Sequence, residues 1–454
     1  MTARLTAFWA YLKESLWAVP LAMVVLAAAL AIAAVEVRLV PADSAWWIYG
    51  GSSENAAEFL SSLLSSMINM ATLAISITMV VLTLAAQQLG PRLIFSFMGD
   101  RRTQTALGVF IGTAVYLLLV LRIVQGRGLT EVPNLAVTLG TALVLLSFIS
   151  LVLFVHHLAR SIVADTMIER VGEVLDQAIS LYLPEKRAQD PLAGTPMARP
   201  DGIPLRTETG GYVQVINYDK LLAAAEKADA LIELALRPGH HVLANGIYAW
   251  VTPASALGDR LRSEIENSVL IGPERTVVQD VEYSVRQLVE IALRALSPSV
   301  NDPYTALAVI DRMALSLGRV LERGPPQMVW RDEEGNPRVA APSSDFEGIL
   351  DAAFTQIRQS AGNHAAVHIR LAEKLGQLAA QADAVQCQAL ENQLELVSAA
   401  GRRDIPEQAD RDVLEKRVEL AREACRSRIS GEPPSTGQTD RSRAPPQRRW
   451  PAPP

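Results

Sequence analysis

The chain has 454 residues, of which 50% are hydrophobic and 20% are charged, and its formal net charge is −6. This length predicts two or three structural units, and the acidic excess argues against a nucleic-acid partner. The first 155 residues hold only 8 Lys/Arg and 7 Asp/Glu, so this third suits lipid and the remainder suits water. Two cysteines, Cys387 and Cys425, form no disulfide framework and fit a reducing compartment.

Four segments are apolar enough and long enough to cross a bilayer, which requires about 20 helical residues. Within a predicted transmembrane domain of residues 1–155, they cover about residues 16–35, 60–87, 106–124 and 135–155.

The short loops indicate the orientation of these spans, because Lys and Arg favour the cytoplasmic side. The second loop carries Arg92, Arg101 and Arg102, and Arg160 follows the fourth span. The third loop, with Arg122 and Arg127, is an exception to the pattern. We therefore expect both termini and the polar two thirds of the chain to be cytoplasmic.

The second span carries a stripe of uncharged polar side chains. The stripe consists of Ser61, Ser65, Asn69, Thr72, Ser76, Thr83 and Gln87. At about 100° per residue these positions fall within an arc of roughly 80°, and the stripe is about 39 Å long. Because polar groups at that depth need polar partners or water, the stripe predicts either a close-packed helix contact or the lining of a wet pathway in an oligomer or bundle.

The rest of the chain divides by composition and periodicity. We predict an amphipathic connecting helix at 156–183, a linker at 184–209, a small β element at 210–252, a helical cytoplasmic domain at 253–428 and a disordered tail at 429–454. The β element resembles the small barrel modules of lipoyl and biotinyl domains, but no lysine in its hairpin is placed to carry a cofactor. The expected fold class is an α-helical membrane protein with about four transmembrane helices and an α+β, mainly helical, cytoplasmic domain containing a small β-barrel-like element.

A dense polar motif follows the β element. Its members are Arg275, Asp280, Arg286, Glu290, Arg294, Asn301 and Asp302. The Ser297-Pro298 pair separates two helices, and the second begins with Asp302 as N-cap and Pro303 in its first turn. The motif predicts either a buried network of ion pairs and caps or a contact with a ligand or subunit. The chain has no nucleophile–base pair, phosphate-binding loop or zinc-ligand spacing, so we expect no catalysis, metal or cofactor.

The string Ala295–Ala306 reads Ala-Leu-Ser-Pro-Ser-Val-Asn-Asp-Pro-Tyr-Thr-Ala. Together with the Arg-Thr and Gln-Asp pairs of 275–280 and the run 286–292, it resembles a bacterial multipass membrane-protein family catalogued as domain of unknown function 2254. The resemblance reaches about Ala424 and departs at His240-His241, where members usually have an acidic and an apolar residue. The resemblance implies a membrane half and a cytoplasmic domain, and it implies no activity. We expect the membrane to be the bacterial inner membrane.

Two functions are compatible with these patterns. The first is a homo-oligomeric channel or transport-like protein, in which the second spans line a pathway and the cytoplasmic domain assembles or gates it. The alternative is a membrane-anchored sensor or scaffold whose cytoplasmic domain binds a ligand or protein. The expected partners are membrane lipid, further copies of the chain and, for the sensor, a small ligand of unspecified chemistry.

Overall fold

The computed structural model describes residues 17–36, 48–89, 100–126, 133–161, 164–183, 202–323, 326 and 328–430. The chain divides into two compact units, Met1–Ser360 and Ala361–Pro454. Arg92, residues 184–201 of the predicted linker and residues 431–454 of the predicted tail lie outside the described ranges.

The first elements within the described residues are four long apolar helices: α1 (Ala18–Glu36), α2 (Ser53–Leu89), α3 (Arg101–Gly126) and α4 (Asn134–Ser161). Each is long and apolar enough to cross a membrane, so the four predicted helices are confirmed. The most apolar stretch of α3 is 56% buried, against 28% in each of the others, which makes α3 the central helix. It packs on the other three.

An amphipathic helix, α5 (Ala164–Tyr182), follows α4. The predicted connecting helix of residues 156–183 therefore begins inside α4, and residues 162–163 lie outside the described ranges. The buried face of α5 includes Val171, Leu175 and Ile179, at the spacing of one helix face.

Within the described residues, eight strands form two sheets. They are β1 (Ile203–Arg206), β2 (Gly211–Ile216), β3 (Leu231–Leu234), β4 (His241–Val242), β5 (Ile247–Thr252), β6 (Val269–Gly272), β7 (Val329–Arg331) and β8 (Pro337–Ala340). The larger sheet has the order β1-β5-β3-β8-β7, and the smaller has the order β4-β2-β6. Helices α6 (Tyr218–Lys227) and α7 (Asp259–Glu266) contact each other, and Leu221 and Ile265 join the core of the sheets.

The predicted barrel-like element at 210–252 is wrong. The described strands form two open sheets, neither of which closes on itself. The larger sheet also recruits distant strands, since β3 pairs in parallel with β8, with Ile232 opposite Val339. Strand β1 lies in the predicted linker; only Leu205 of its four residues is buried, so its sequence has little strand signal. Pairing with β5 decides its conformation.

The described part of the first unit also contains three helices after the sheets' first strands: α8 (Val281–Ala295), α9 (Pro303–Glu322) and α10 (Phe346–Ser360). Helix α8 contacts α2, α5, α9 and α10. Asp280 caps α8, and Asp302 caps α9 by accepting hydrogen bonds from the backbone N–H groups of Tyr304 (3.1 Å) and Thr305 (3.2 Å). The predicted start of α9 is thus confirmed.

The second unit consists, within its described part, of α11 (Ala365–Ala379), α12 (Ala384–Asp404) and α13 (Gln408–Ser430). Leu375, Leu394 and Val418 belong to its buried core. Asp383 and Gln386 form a capping box at the start of α12. The predicted helical domain of 253–428 therefore spans both units and also contains three strands.

Candidate functional site

The polar stripe of α2 faces away from the helix bundle. Ser61, Ser65, Asn69, Thr72, Ser76 and Thr83 are all exposed, while the side chain of Gln87 lies outside the described residues. The buried positions of α2 include Leu60, Met67, Ala74 and Val81. At about 100° per residue, these positions centre roughly 180° from the stripe. The stripe is therefore no packing seam within one protomer.

Most stripe hydroxyls donate a hydrogen bond to a carbonyl of their own helix. Ser65 bonds the Ser61 carbonyl (3.0 Å), Thr72 the Ile68 carbonyl (2.9 Å), and Ser76 the Thr72 carbonyl (2.8 Å). This arrangement satisfies each donor without a neighbouring helix. The Asn69 carboxamide differs, because it has two donors and an acceptor and lies exposed near the middle of the helix.

The exposed faces of α1 and α4 have a different chemistry. The large exposed side chains of α1 include Leu21, Val25 and Leu26, and those of α4 include Ile149 and Val152. These surfaces suit lipid tails. The exposed surface of α2 also includes Ile68, Leu73, Met79 and Val80, but among the described candidate spans only α2 exposes a row of polar side chains.

A charged junction lies where α3 begins and α4 ends. The Nε2 atom of His157 lies 2.7 Å from Asp100 Oδ2, and Arg170 of α5 lies 3.5 Å from Asp100 Oδ1. Burial opposes ionisation of Asp100, but hydrogen bonds from Thr103 and His157 outweigh it and hold the Asp100 pKa below its usual value. The junction ties the end of α4 to α3 and α5.

Part of the predicted polar motif forms a buried ion-pair network at the start of α8. Arg275 donates from Nε and Nη2 to the two Asp280 oxygens, and Arg237 Nη2 donates to Glu282 Oε1 (2.5 Å). Arg275 also lies 3.8 Å from Glu282. Burial and the nearby Arg237 lower the pKa of His240. Gly239 has φ +88°, and a side chain there would collide with Asp280, so the network packs against a glycine turn.

The other predicted members do not join this network in one site. Arg286 is exposed on α8, while Glu290 and Arg294 lie one and two turns further along it. Helix α8 is about 22 Å long at 1.5 Å per residue, and Asn301 and Asp302 lie beyond its far end. The motif therefore divides into an ion-pair network at one end of α8 and a turn with a helix cap at the other.

A second buried network, which no sequence pattern predicted, joins α5 to α9. Asp176 accepts hydrogen bonds from Arg312 Nη2 (2.6 Å) and Ser316 Oγ (2.7 Å), and Arg319 Nη1 lies 3.0 Å away. Arg312 lies against Gly172, where any side chain would collide with it. The available signal was the position of Asp176, which lies in sequence between Leu175 and Ile179 and, at about 100° per residue, at the edge of the buried face of α5.

Metal-ligand geometry is absent from the described residues, where no three His, Cys, Asp or Glu side chains converge. Within the second unit, His368 is buried and its Nε2 lies 3.0 Å from the Gly362 carbonyl. Both cysteines are buried as thiols, and burial raises the pKa of each.

The topology and the motif at the α8–α9 turn agree with a known family. Residues 13–377 match the family described as Predicted membrane protein (DUF2254). The chain belongs to this family. Uncharacterized proteins of Mycobacterium bovis and of Mycobacterium tuberculosis strain H37Rv are each 32% identical to it over 452 residues, covering 96% of this chain and 86% of theirs. A further uncharacterized protein, from M. tuberculosis strain CDC 1551, is 31% identical over the same coverage. No solved structure matches the chain.

Proposed function

We propose that the protein is a homo-oligomeric, channel-like membrane protein in which the polar stripes of several α2 helices meet and line a pathway. One observation carries the proposal: the stripe is exposed on the protomer, although the exposed faces of α1 and α4 are apolar. A helix face left against lipid would gain nothing from a membrane-long row of polar side chains. Contact with a second copy of the chain, or with a column of water, would remove these polar side chains from lipid.

The stripe's chemistry indicates what such a pathway would conduct. Its described members are uncharged hydroxyls and one carboxamide. A ring of charged side chains selects ions by their sign, and the stripe supplies none. The proposed pathway therefore suits water, small neutral solutes or weakly selected ions, and the proposal involves no catalytic step.

Cysteine substitution tests the proposal, because both native thiols are buried. Ser76→Cys and Asn69→Cys are placed in the full chain in vesicles and treated with a membrane-impermeant thiol reagent. Val152→Cys, on the exposed apolar face of α4, is the matched control. We expect modification of the two stripe positions, and none of the control.

Three outcomes are distinguishable. Modification that also reduces flux through the vesicles supports a water-filled pathway. Cross-linking between copies without modification means a dry interface and overturns the pathway while retaining the oligomer. If the stripe positions behave like Val152→Cys, they face lipid, and the whole proposal fails.

We propose that the polar two thirds of the chain lies in the cytoplasm and that the membrane is the inner one. Arg101, Arg102 and Arg160 are exposed at the end of the bundle that leads into α5. Basic residues at that end favour the cytoplasmic side. A C-terminal fusion to an enzyme that folds only outside the cytoplasm is expected to be inactive; an active fusion would reverse the orientation.

A membrane-anchored sensor or scaffold is the second candidate function. An open groove between α5 and α9 favours it, with Glu169, Glu173, Gln177 and Arg319 at its walls. The groove offers charges of both signs to a polar ligand. A thermal-shift screen of the full chain against metabolites tests this function, and a screen without a stabilising compound removes its support.

A further inference from the structure

The turn between α8 and α9 projects an apolar side chain into solvent. The backbone N–H groups of Val300 (3.1 Å) and Asn301 (2.9 Å) both donate to the Ser297 carbonyl, and Asn301 has φ +50°. The Asp302 N–H closes the turn on the Ala295 carbonyl (2.8 Å). Within this hydrogen-bonded turn, 52% of Val300 is exposed, and Tyr304 in the first turn of α9 is 80% exposed.

Helix register places this turn beside the end of α4. Arg312, the tenth residue of α9, lies against Gly172, the ninth residue of α5. Further along, Arg323 donates to the Ser180 (3.0 Å) and Leu183 (2.7 Å) carbonyls, so the two helices run parallel. The first residues of α9 therefore lie beside the first residues of α5. The axes of packed helices such as α5 and α9 are about 8–10 Å apart. Because α5 begins three residues after α4 ends, Tyr304 at the start of α9 lies close to the end of the fourth candidate span.

The path of α8 agrees with this placement. The Tyr182 hydroxyl, at the end of α5, donates to the Val278 carbonyl, just before α8 begins. Helix α8 therefore starts beside the far end of α5, runs antiparallel to it, and contacts α2. The turn of residues 296–302 joins the ends of α8 and α9 that lie nearest to the membrane helices.

The surroundings of the turn fit the border between lipid and water. Val152 and Val155 are exposed on the last turns of α4. Arg101, Arg102 and Arg160 are exposed at the same end of the bundle and suit anionic headgroups. The acidic side chains near the turn are Asp165 and Glu169, exposed on the first turns of α5, and Asp302 of the turn itself, which caps α9.

We propose that the α8–α9 turn is a membrane-surface contact, with Val300 and Tyr304 seated in the headgroup layer beside the end of α4. Tyrosine favours this layer because its ring is apolar and its hydroxyl remains hydrated. Continuity with the exposed apolar face of α4 and the nearby arginines favours a lipid surface as occupant. The contact would hold α8 and α9, and through them the sheets, at a fixed height above the bilayer.

Spin-label depth measurement on the full chain in lipid vesicles tests the proposal. A nitroxide is attached at Val300→Cys, and its collisions with oxygen, which concentrates in lipid, and with a water-soluble nickel chelate are compared. Leu243→Cys is the control. Leu243 is 72% exposed and follows β4, whose sheet lies near the start of α8 because Ile216 of β2 exchanges hydrogen bonds with Gln279. The ratio of oxygen to nickel collisions is expected to be several-fold higher at Val300→Cys than at Leu243→Cys.

Val152→Cys supplies the acyl-chain reference, and its ratio should exceed that of Val300→Cys. Equal ratios at Val300→Cys and Leu243→Cys would place the turn in water and overturn the proposal. Protection from both agents, with dipolar broadening between labels, would instead identify a contact between copies and also overturn it. Tyr304→Cys repeats the measurement if the first variant does not elute as the parent protein does.

Discussion

The Asp176–Arg312 pair gives the most quantitative prediction, because both side chains are buried between α5 and α9. Asp176→Ala removes the carboxylate and leaves the Arg312 guanidinium with Ser316 and with Glu169, whose oxygen lies 3.2 Å from Arg312 Nε on an exposed side chain. Breaking a buried ion pair from one side costs about 3–5 kcal/mol. Because the contact with Glu169 remains, we expect Asp176→Ala to lower the free energy of unfolding by about 3 kcal/mol, the lower end of this range.

Hydrogen exchange measured by mass spectrometry reports this loss locally. A cost of about 3 kcal/mol corresponds to roughly hundred-fold faster exchange of the α5 and α9 amides that open together. The double variant Asp176→Leu with Arg312→Met should exchange more slowly than Asp176→Ala, since it leaves no unpaired buried charge.

An exposed ion pair provides the control. Arg260 and Glu264 pair across one turn of α7, and Arg260 is largely exposed. Arg260→Ala should therefore change stability by less than about 0.5 kcal/mol. If Asp176→Ala exchanges no faster than Arg260→Ala in α5 and α9, the buried network does not hold these helices together and the reasoning is refuted.

Three further predictions concern helix caps and thiols. Asp302→Ala removes the cap of α9 and should lower the free energy of unfolding by about 1 kcal/mol, which is measured as a lower unfolding temperature. The hydrogen bond from the Thr305 hydroxyl lowers the pKa of Asp302 in the folded protein. The stabilisation from the ionised cap is therefore present above the unfolded-state pKa of about 4 and is lost as pH falls through the folded-state pKa. A difference in unfolding temperature between the parent protein and Asp302→Ala that persists in strong acid would contradict this. Asp383→Ala should cost about 1 kcal/mol and speed proteolysis within α12, whereas unchanged cleavage would show that the capping box is dispensable. Because burial raises the thiol pKa, Cys387 and Cys425 should resist alkylation at mildly alkaline pH until denaturant is added, and rapid labelling of the native protein would show that α12 and α13 separate.

The local features of the chain were predictable because the signals that specify them lie within a few residues. The four apolar helices follow from their length and composition, and the start of α9 follows from Asp302 and Pro303. The Arg275–Asp280 pair joins residues five positions apart in the predicted motif. Its partner Arg237 was not predicted, because it precedes Asp280 by more than forty residues and no local signal pairs them. Glu282, which is local to the motif, was also missed.

The sequence by itself determined that α2 carries a polar face, because helical periodicity fixes the angular position of every side chain around its own axis. Only the tertiary structure decided that this polar face points away from α3, because the opposite, apolar face of α2 is the one that packs on the helix bundle. The same distinction holds for the sheets and for the Asp176–Arg312 network, whose partners are far apart in the chain. Helical periodicity depends only on residues within one element. Packing depends on how all the elements fit together, so the contacts of one face cannot be derived from that element alone.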